Sequence, residues 1–349
     1  MQTDRGFDVD VIMVQDLITT NSDIRDTIEA AYNTSVPVEY VLLAGAAGHI
    51  EPDAPLDTKQ ETRDLKIDVV DASRLNFIPF TYETMEIWGN DTIDVPTDDH
   101  YISDLTDNGN ISIGRIPAID KVESNGWFLK LVEYYYSYEN YSQWKNKELM
   151  ISQNVTNPWN GVVGHKVNWM YDDVLPYINS YIDTPFLRAT DIDSANAWGT
   201  NNGVYPLVVP FETSVNDGPA LIHFFSTGAG ASNVGNFYFF DDIPTCTFQF
   251  SNQGKYPYFL GISCTLGGVQ YHDSNPCVLQ KMMFLDQAGL IGFFAPTIIT
   301  SQWACREFSE DFHRIVNQEG ISDIGSLTKE TKADFEIRMT SRLWHWYFL

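Results

Sequence analysis

Residues 258–264 read Tyr-Phe-Leu-Gly-Ile-Ser-Cys. This is an apolar run of strand length that stops at a cysteine, and the turn-like Thr265-Leu266-Gly267-Gly268 follows it. A run without polar alternation fits a strand buried on both faces of a parallel sheet. Ala220–Phe225 is a second such run, and it leads into Ser226-Thr227-Gly228-Ala229-Gly230. In open α/β sheets ligands gather beyond the carboxyl ends of the strands. Two such ends side by side would form a site.

Outward from these runs, strand and helix patterns alternate. Phe7–Val14 alternates Val and Ile with Asp, which predicts a half-buried strand. A helix opens near Asn21 or Ser22 with Ile24, Ile28 and Ala31 on one face. Val38–Ala44 is a further apolar strand, residues 51–99 are loop-rich, and Asn110–Arg115 is a strand ended by Pro117. Val122–Glu139 is helical, with Trp127, Phe128, Leu131, Tyr134, Tyr135 and Tyr138 along one side as a core-facing stripe. The polar stretch Asn140–Lys147 divides the chain into an N-terminal α/β subdomain, 1–145, and a C-terminal subdomain, 146–349. Beyond it Leu149–Ser152 and Leu290–Ala295 read as strands, and Val167–Ile182 (interrupted by Pro176), Cys277–Ala288 and Arg306–Asn317 as helices. The order predicts α/β architecture with mainly parallel sheets and right-handed crossovers.

Composition narrows the function classes. The 349 residues are 44% hydrophobic, enough for a full core. The formal charge of −26 opposes binding to nucleic acid and anionic membranes. No apolar run reaches a membrane span. The start, Met1 to Arg5, is not a signal peptide and enters a strand almost at once, as a trimmed terminus would. Cys246, Cys264, Cys277 and Cys305 lack the paired spacing of a zinc cluster. Sequons at Asn33, Asn90, Asn110, Asn140 and Asn154 are weak signs of secretion in an Asn-rich chain. There is no Gly-x-Ser-x-Gly elbow, dinucleotide fingerprint or Walker loop.

Cys264, opening a turn after a strand, can meet backbone N–H groups that favour a thiolate and an oxyanion. On local grounds alone a buried structural cysteine and a nucleophile stay equally open. A wider pattern adds to this. LIHFFSTGAG at 221–230 and YFLGISC at 258–264 resemble the two strands of the gingipain-type cysteine peptidases (peptidase family C25, caspase-like), which end in Gly-His-Gly and in Ala-Cys or Ser-Cys. Residues 6–14 with 39–45, 98–117 (DDHYISDLTDNGNISIGRIP), 274–283 (SNPCVLQKMM), 300–305 (TSQWAC) and 344–349 are similar to further family segments in the same order.

The resemblance implies a caspase-like α/β/α sandwich with two subdomains and mainly parallel sheets. It implies a cysteine endopeptidase with Cys264 as nucleophile and the N–H groups of Gly230 and Cys264 as oxyanion hole. Ala229 stands where the family carries its catalytic histidine, so the chain as written is expected to be inactive. Two origins for that alanine are open: a substitution that stops self-cleavage, or a natural pseudopeptidase that binds peptides or assembles with partners. His272 is the outside candidate for a displaced base, and His223 reads as packed beside the sheet. The family's orienting acid falls near Asn154, which is not an acid. Ala46 replaces an Asp common in the family. The substrate pocket is expected from Thr227, Ile262, Trp303, Glu307 and Asn168, with Glu307 beside Trp303 favouring a Lys or Arg side chain. No cofactor is required. Calcium is a candidate ligand of Asp98, Asp99, Asp104 and Asp107. The partner is a peptide or protein substrate, and the family implies an extracellular or cell-surface place.

Overall fold

The computed structural model describes residues 9–12, 21–45, 81–86, 92–102, 111–118, 120–139, 143–152, 155–156, 163–164, 170–178, 186–188, 208–225, 248–263, 266–268, 277–297, 302–321 and 323–339. Helix α1 (Asn21–Tyr32) precedes strand β1 (Tyr40–Ala44). An antiparallel hairpin follows, β2 (Thr81–Glu86) with β3 (Thr92–Thr97). Strand β4 (Ser112–Ile116) then pairs in parallel with β1. Ile24 and Ile28 of α1 pack on Leu43, Tyr101 and Ile111, so the apolar face read from α1 is the face that is buried. Residues 9–12, expected in a strand, belong to none, and Val11 is 80% exposed. Alternation alone does not make a strand without a partner edge. The loop-rich reading of 51–99 overlooked the hairpin, whose polar strands lack an apolar run.

Helix α2 (Lys121–Glu139) is capped by Asp120, whose Oδ1 accepts from the N–H groups of Val122 and Glu123 at 2.7 and 2.9 Å. The expected aromatic stripe is buried only in part. Trp127 is buried, whereas Phe128 is 46% exposed. Two side chains of α2 tie it to the C-terminal half. Trp127 Nε1 donates to the Ile291 carbonyl at 2.7 Å. Lys130, itself buried, donates to the carbonyls of Met283, Ala288 and Leu290.

The C-terminal half is built on one parallel sheet of five described strands. These are β5 (Glu148–Ser152), β8 (Phe186–Arg188), β9 (Leu221–Phe225), β10 (Tyr258–Ile262) and β11 (Gly292–Phe294), in the order β11-β10-β9-β5-β8. A small antiparallel pair, β6 (Val155–Thr156) and β7 (Val163–Gly164), follows β5. Side chains alternate between the two faces of the sheet. Leu149, Ile151, Ile222, Phe224 and Phe259 meet Phe211 and Val215 of α3 (Val208–Asn216) and Val278, Leu279 and Met282 of α4 (Val278–Met283). On the other face Met150, Phe225, Leu260 and Ile262 meet Ala304, Cys305, Phe308 and Phe312 of α5 (Gln302–Arg314) and Leu327 and Phe335 of α6 (Ile324–Met339). The result is a three-layer α/β/α sandwich. Val167–Ile182, expected as helical with an interruption at Pro176, is in its described part a π turn at Met170–Val174 and a 3-10 turn at Leu175–Tyr177, so the interruption at Pro176 is present but the flanking turns are shorter than an α-helix. The helix expected over Cys277–Ala288 stops at Met283, and the chain turns back at Gly289, whose φ of 79° favours glycine.

Candidate active site

Three strand ends define the site. Ser152 of β5 is level with Phe225 of β9, and Phe225 with Ile262 of β10. Strands β5, β9 and β10 run in the same direction, so their carboxyl ends form one edge. The chain leaves β5 toward β8 on one side, whereas β9, β10 and β11 build outward on the other. The strand order therefore reverses between β5 and β9, the crevice in which α/β proteins bind ligands. Position 229 is four residues beyond the end of β9, and Cys264 two beyond the end of β10.

Of the residues the sequence singled out, Cys264, Ala229, Gly230, Thr227, Asn168, His272, Asn154, Asp104 and Asp107 lie outside the described residues, as does the side chain of Trp303. Ile262 is fully buried at the end of β10. Glu307 is half-buried on α5, one turn beyond Trp303. The flanks of Cys264 are held firmly. The Leu266 N–H reaches the Ser263 carbonyl at 3.4 Å, and the Gly267 N–H donates to the Pro296 carbonyl at 2.8 Å. Gly267 lies so close to the end of β11 that a Cβ there would stand 2.5 Å from the Ala295 carbonyl oxygen. Cys277 and Cys305 are both buried, and burial pushes the Cys277 pKa up to about 12, so Cys277 is not a nucleophile.

The two described aspartates of the candidate calcium loop have cationic partners. Arg115 holds Asp98 bidentately at 2.8 and 2.5 Å and also donates to the Gly45 carbonyl at 3.0 Å. Lys332 of α6 donates to both oxygens of Asp99 at 3.0 and 2.9 Å.

Behind the strand ends, on the α5 face, lies a polar cluster that the sequence reading missed. It joins Glu148 of β5, His223 of β9, and Ser309 and His313 of α5, all buried. The Ser309 hydroxyl donates to the Cys305 carbonyl at 2.8 Å, so its oxygen accepts from His223 Nε2–H at 3.1 Å. His313 Nδ1–H donates to the Ser309 carbonyl at 2.8 Å, and its Nε2 lies 2.5 Å from Glu148 Oε1. Burial works to lower the His313 pKa, but the charge and hydrogen bond of Glu148 and the Ser309 carbonyl prevail and raise it. His313 is thus the imidazolium of a buried ion pair. His223 stacks on it with ring centroids 4.7 Å apart. Burial, and then the His313 charge, push the His223 pKa well down, so His223 is neutral with a bare Nδ1. That nitrogen is 3.9 Å from Glu148, beyond hydrogen-bond range, and finds no other partner among the described residues. His223 therefore packs against the sheet as expected, but in a charged setting that no short motif announces.

The model of peptidase family C25 matches residues 1–349. The chain belongs to peptidase family C25. No match is found among curated proteins. Solved structures agree on the fold. The complex of Porphyromonas gingivalis RgpB pro- and mature domains matches with a TM-score of 0.67 at 15% identity, over 99% of this chain and 72% of that one. The Arg-specific cysteine proteinase gingipain R (RgpB) gives 0.67 and 15%, over 99% and 71%. A third structure, described as a protease, gives 0.62 and 14%, over 95% and 68%. The fold is thus caspase-like α/β, and the family is one of cysteine peptidases acting on proteins. Among the described residues no helix is long and apolar enough to cross a membrane.

Proposed function

We propose that this chain is the catalytic part of a gingipain-type cysteine endopeptidase whose nucleophile is Cys264. Position 229 is the seat of the general acid–base. The observation that carries the reading is the level, parallel pairing of β9 with β10, whose chains continue to residue 229 and to Cys264 from one sheet edge. The thiolate of Cys264 attacks the scissile carbonyl, and the N–H groups of Gly230 and Cys264 receive the oxyanion. A histidine at 229 would keep the thiol ionised and protonate the leaving amine. Alanine does neither, so the chain as it stands turns over several orders of magnitude more slowly than a complete dyad.

The test is Ala229→His assayed on a positional-scanning peptide library. Cleavage that appears in this variant and disappears on adding Cys264→Ala supports the reading. An inactive histidine variant refutes it and favours the second reading, a natural pseudopeptidase, for which Ala229 itself is the motivating observation. Thr227, Ile262, Asn168, Trp303 and Glu307 are proposed to wall the pocket, with Glu307 selecting Lys or Arg before the scissile bond. The same library tests this, since such a preference should collapse in Glu307→Gln. Substrates are peptides or proteins met outside the cell or at its surface, and the division near residues 145–146 separates a supporting subdomain from the catalytic one.

A further inference from the structure

We propose that the ion pair of Asp173 with Arg306 is a positioning device that sets the width of the substrate pocket, and so decides which side chain is accepted before the scissile bond. The proposal rests on the pocket read above, walled by Ile262 and Glu307, and not on the chemistry at residue 229. Ser309 of α5 meets His223 in the middle of β9, and His313 meets Glu148 at the first residue of β5. Helix α5 therefore runs against the strand direction, and its first turns, with Arg306 and Glu307, lie nearest the carboxyl ends. The turns at 170–177 lie on the same face, because Met170 and Val174 pack with Phe225, Ile262, Ala304 and Phe308. They belong to the connection from β5 to β8, whereas α4 belongs to that from β10 to β11 on the opposite face. The strand order reverses between these connections, so on the α5 face the crevice is flanked by the 170–177 turns and by α5.

Two polar contacts join the flanks. Arg306 Nη2–H donates to Asp173 Oδ1 at 3.0 Å, and Arg306 Nε lies 2.8 Å from Asp173 Oδ2. One helical turn further from the strand ends, the Tyr177 hydroxyl donates to Glu310 Oε1 at 3.1 Å. The steps from Asp173 to Tyr177 and from Arg306 to Glu310 are both four residues, so together the contacts fix spacing and register. Beneath them the contact is apolar and adjustable. The Asp173 and Arg306 side chains are 19% and 33% exposed, so their pairing contributes little to stability. What it supplies is geometry, since a planar guanidinium beside a carboxylate holds one separation. The pair also sets a charge. Arg306 immediately precedes Glu307, and its guanidinium, without the Asp173 anion, would oppose a cationic substrate side chain. Met170–Val174 is moreover a π turn, a rare geometry that recurs at functional sites.

The experiment measures binding rather than turnover and uses the full chain as it stands, with Ala229. Fluorescein-labelled peptides of one frame, differing only in a Lys, Arg, Leu or Ala before the scissile bond, are titrated and followed by anisotropy. Asp173→Asn and Arg306→Met should each change the ratio of dissociation constants between the tightest and the weakest peptide by about tenfold, the effect of a pocket altered by about one methylene. The double variant should move the ratio no further than either single change, as expected of two residues that act as one. Amide exchange at 170–178 should quicken in both single variants while that of β9 is unchanged. A purely structural role would weaken all peptides alike and leave the ratio where it was. An unmoved ratio, shifts that add in the double variant, or unchanged exchange at 170–178 overturns the proposal. Variants that fail to fold contradict the small stability contribution and overturn it too, as does a parent chain that binds none of the peptides at millimolar concentration. A ratio that moves while Ala229→His cleaves nothing removes the endopeptidase reading and leaves this one. Cleavage by Ala229→His with an unmoved ratio removes this one alone.

Discussion

Gly267→Ala isolates the support of the nucleophile turn. The added methyl would stand 2.5 Å from the Ala295 carbonyl oxygen, 3.0 Å from its carbon and 3.2 Å from the Pro296 oxygen. Ordinary contact begins at 3.4 Å, so the turn must retreat by about 0.9 Å. The obstacle is backbone at the end of β11, which cannot rotate away as a flexible side chain would. The retreat pulls the Gly267 N–H off the Pro296 carbonyl, costing about 1 kcal/mol, and the overpacking adds about 1–3 kcal/mol. A displacement near 1 Å at a catalytic group typically costs about 100-fold in rate. In the Ala229→His background, Gly267→Ala should therefore lower kcat/KM by about two orders of magnitude and stability by about 2–4 kcal/mol. Peptide hydrolysis under pseudo-first-order conditions and urea unfolding measure the two effects. Activity within twofold of the histidine variant, with an unmoved unfolding midpoint, would refute the close-approach argument.

Arg115→Met should cost about 3–5 kcal/mol, because it strands Asp98 in a site where the two side chains are 1% and 5% exposed. Denaturant unfolding checks this, and a loss under 1 kcal/mol would contradict it. Burial pulls the Lys130 pKa down to about 7, with Asp286 pulling the other way; below that value the ammonium donates to all three carbonyls, and above it the neutral amine keeps two of those bonds. The unfolded chain, near its ordinary 10.5, then binds the proton that the folded chain has released. The Lys130 contribution is complete above the unfolded value and is lost as pH falls toward 7. Stability of the parent chain should thus rise from pH 7 to 9 relative to Lys130→Met, and parallel pH profiles would count against the assignment. Calcium remains a proposal for the acidic loop. It predicts a melting temperature higher in millimolar calcium than in chelator, and a larger calcium effect in Lys332→Met, where Asp99 is released from its partner.

The sequence made the central sheet legible and much of its surroundings opaque, for physical reasons. Strands β5, β9 and β10 are buried on both faces, so each is an apolar run that announces itself. The β2–β3 hairpin intersperses Thr, Glu and Asp with single apolar residues such as Tyr82, Ile93 and Val95, and so has no such run. Helix α3 includes Val208, Val209 and Pro210, poor helix formers, and tertiary packing of Phe211 and Val215 overrides them. Helix α6 gives a weak signal because the buried residues among its described side chains are Leu327, Thr331 and Phe335, spaced by four within a polar stretch. The order of motifs revealed the family and the pair of strand ends. The ion pair of Glu148 with His313 joins residues 165 positions apart, and only the packing of α5 on the sheet brings them together.

The two faces of that sheet are held by different means, and the difference bears on the site. Toward α3 and α4 the contact is apolar, with Ile222 and Phe224 among its members. Apolar packing favours burial but discriminates weakly among nearby registers. A helix sliding by one turn moves about 5.4 Å and can bury much the same area. Toward α5 the contact includes Ser309, which accepts one hydrogen bond at its hydroxyl and another at its carbonyl from two different histidines. His313 in turn engages Glu148 on a strand two positions from β10. A slide of one turn would leave a buried carboxylate and two imidazoles without partners, at a cost of several kcal/mol. The polar cluster therefore fixes α5 in a single register on β5 and β9. Residues 303 and 307 begin that same helix, so their height relative to the carboxyl ends of the strands is set by a charged contact ten and six residues away at His313.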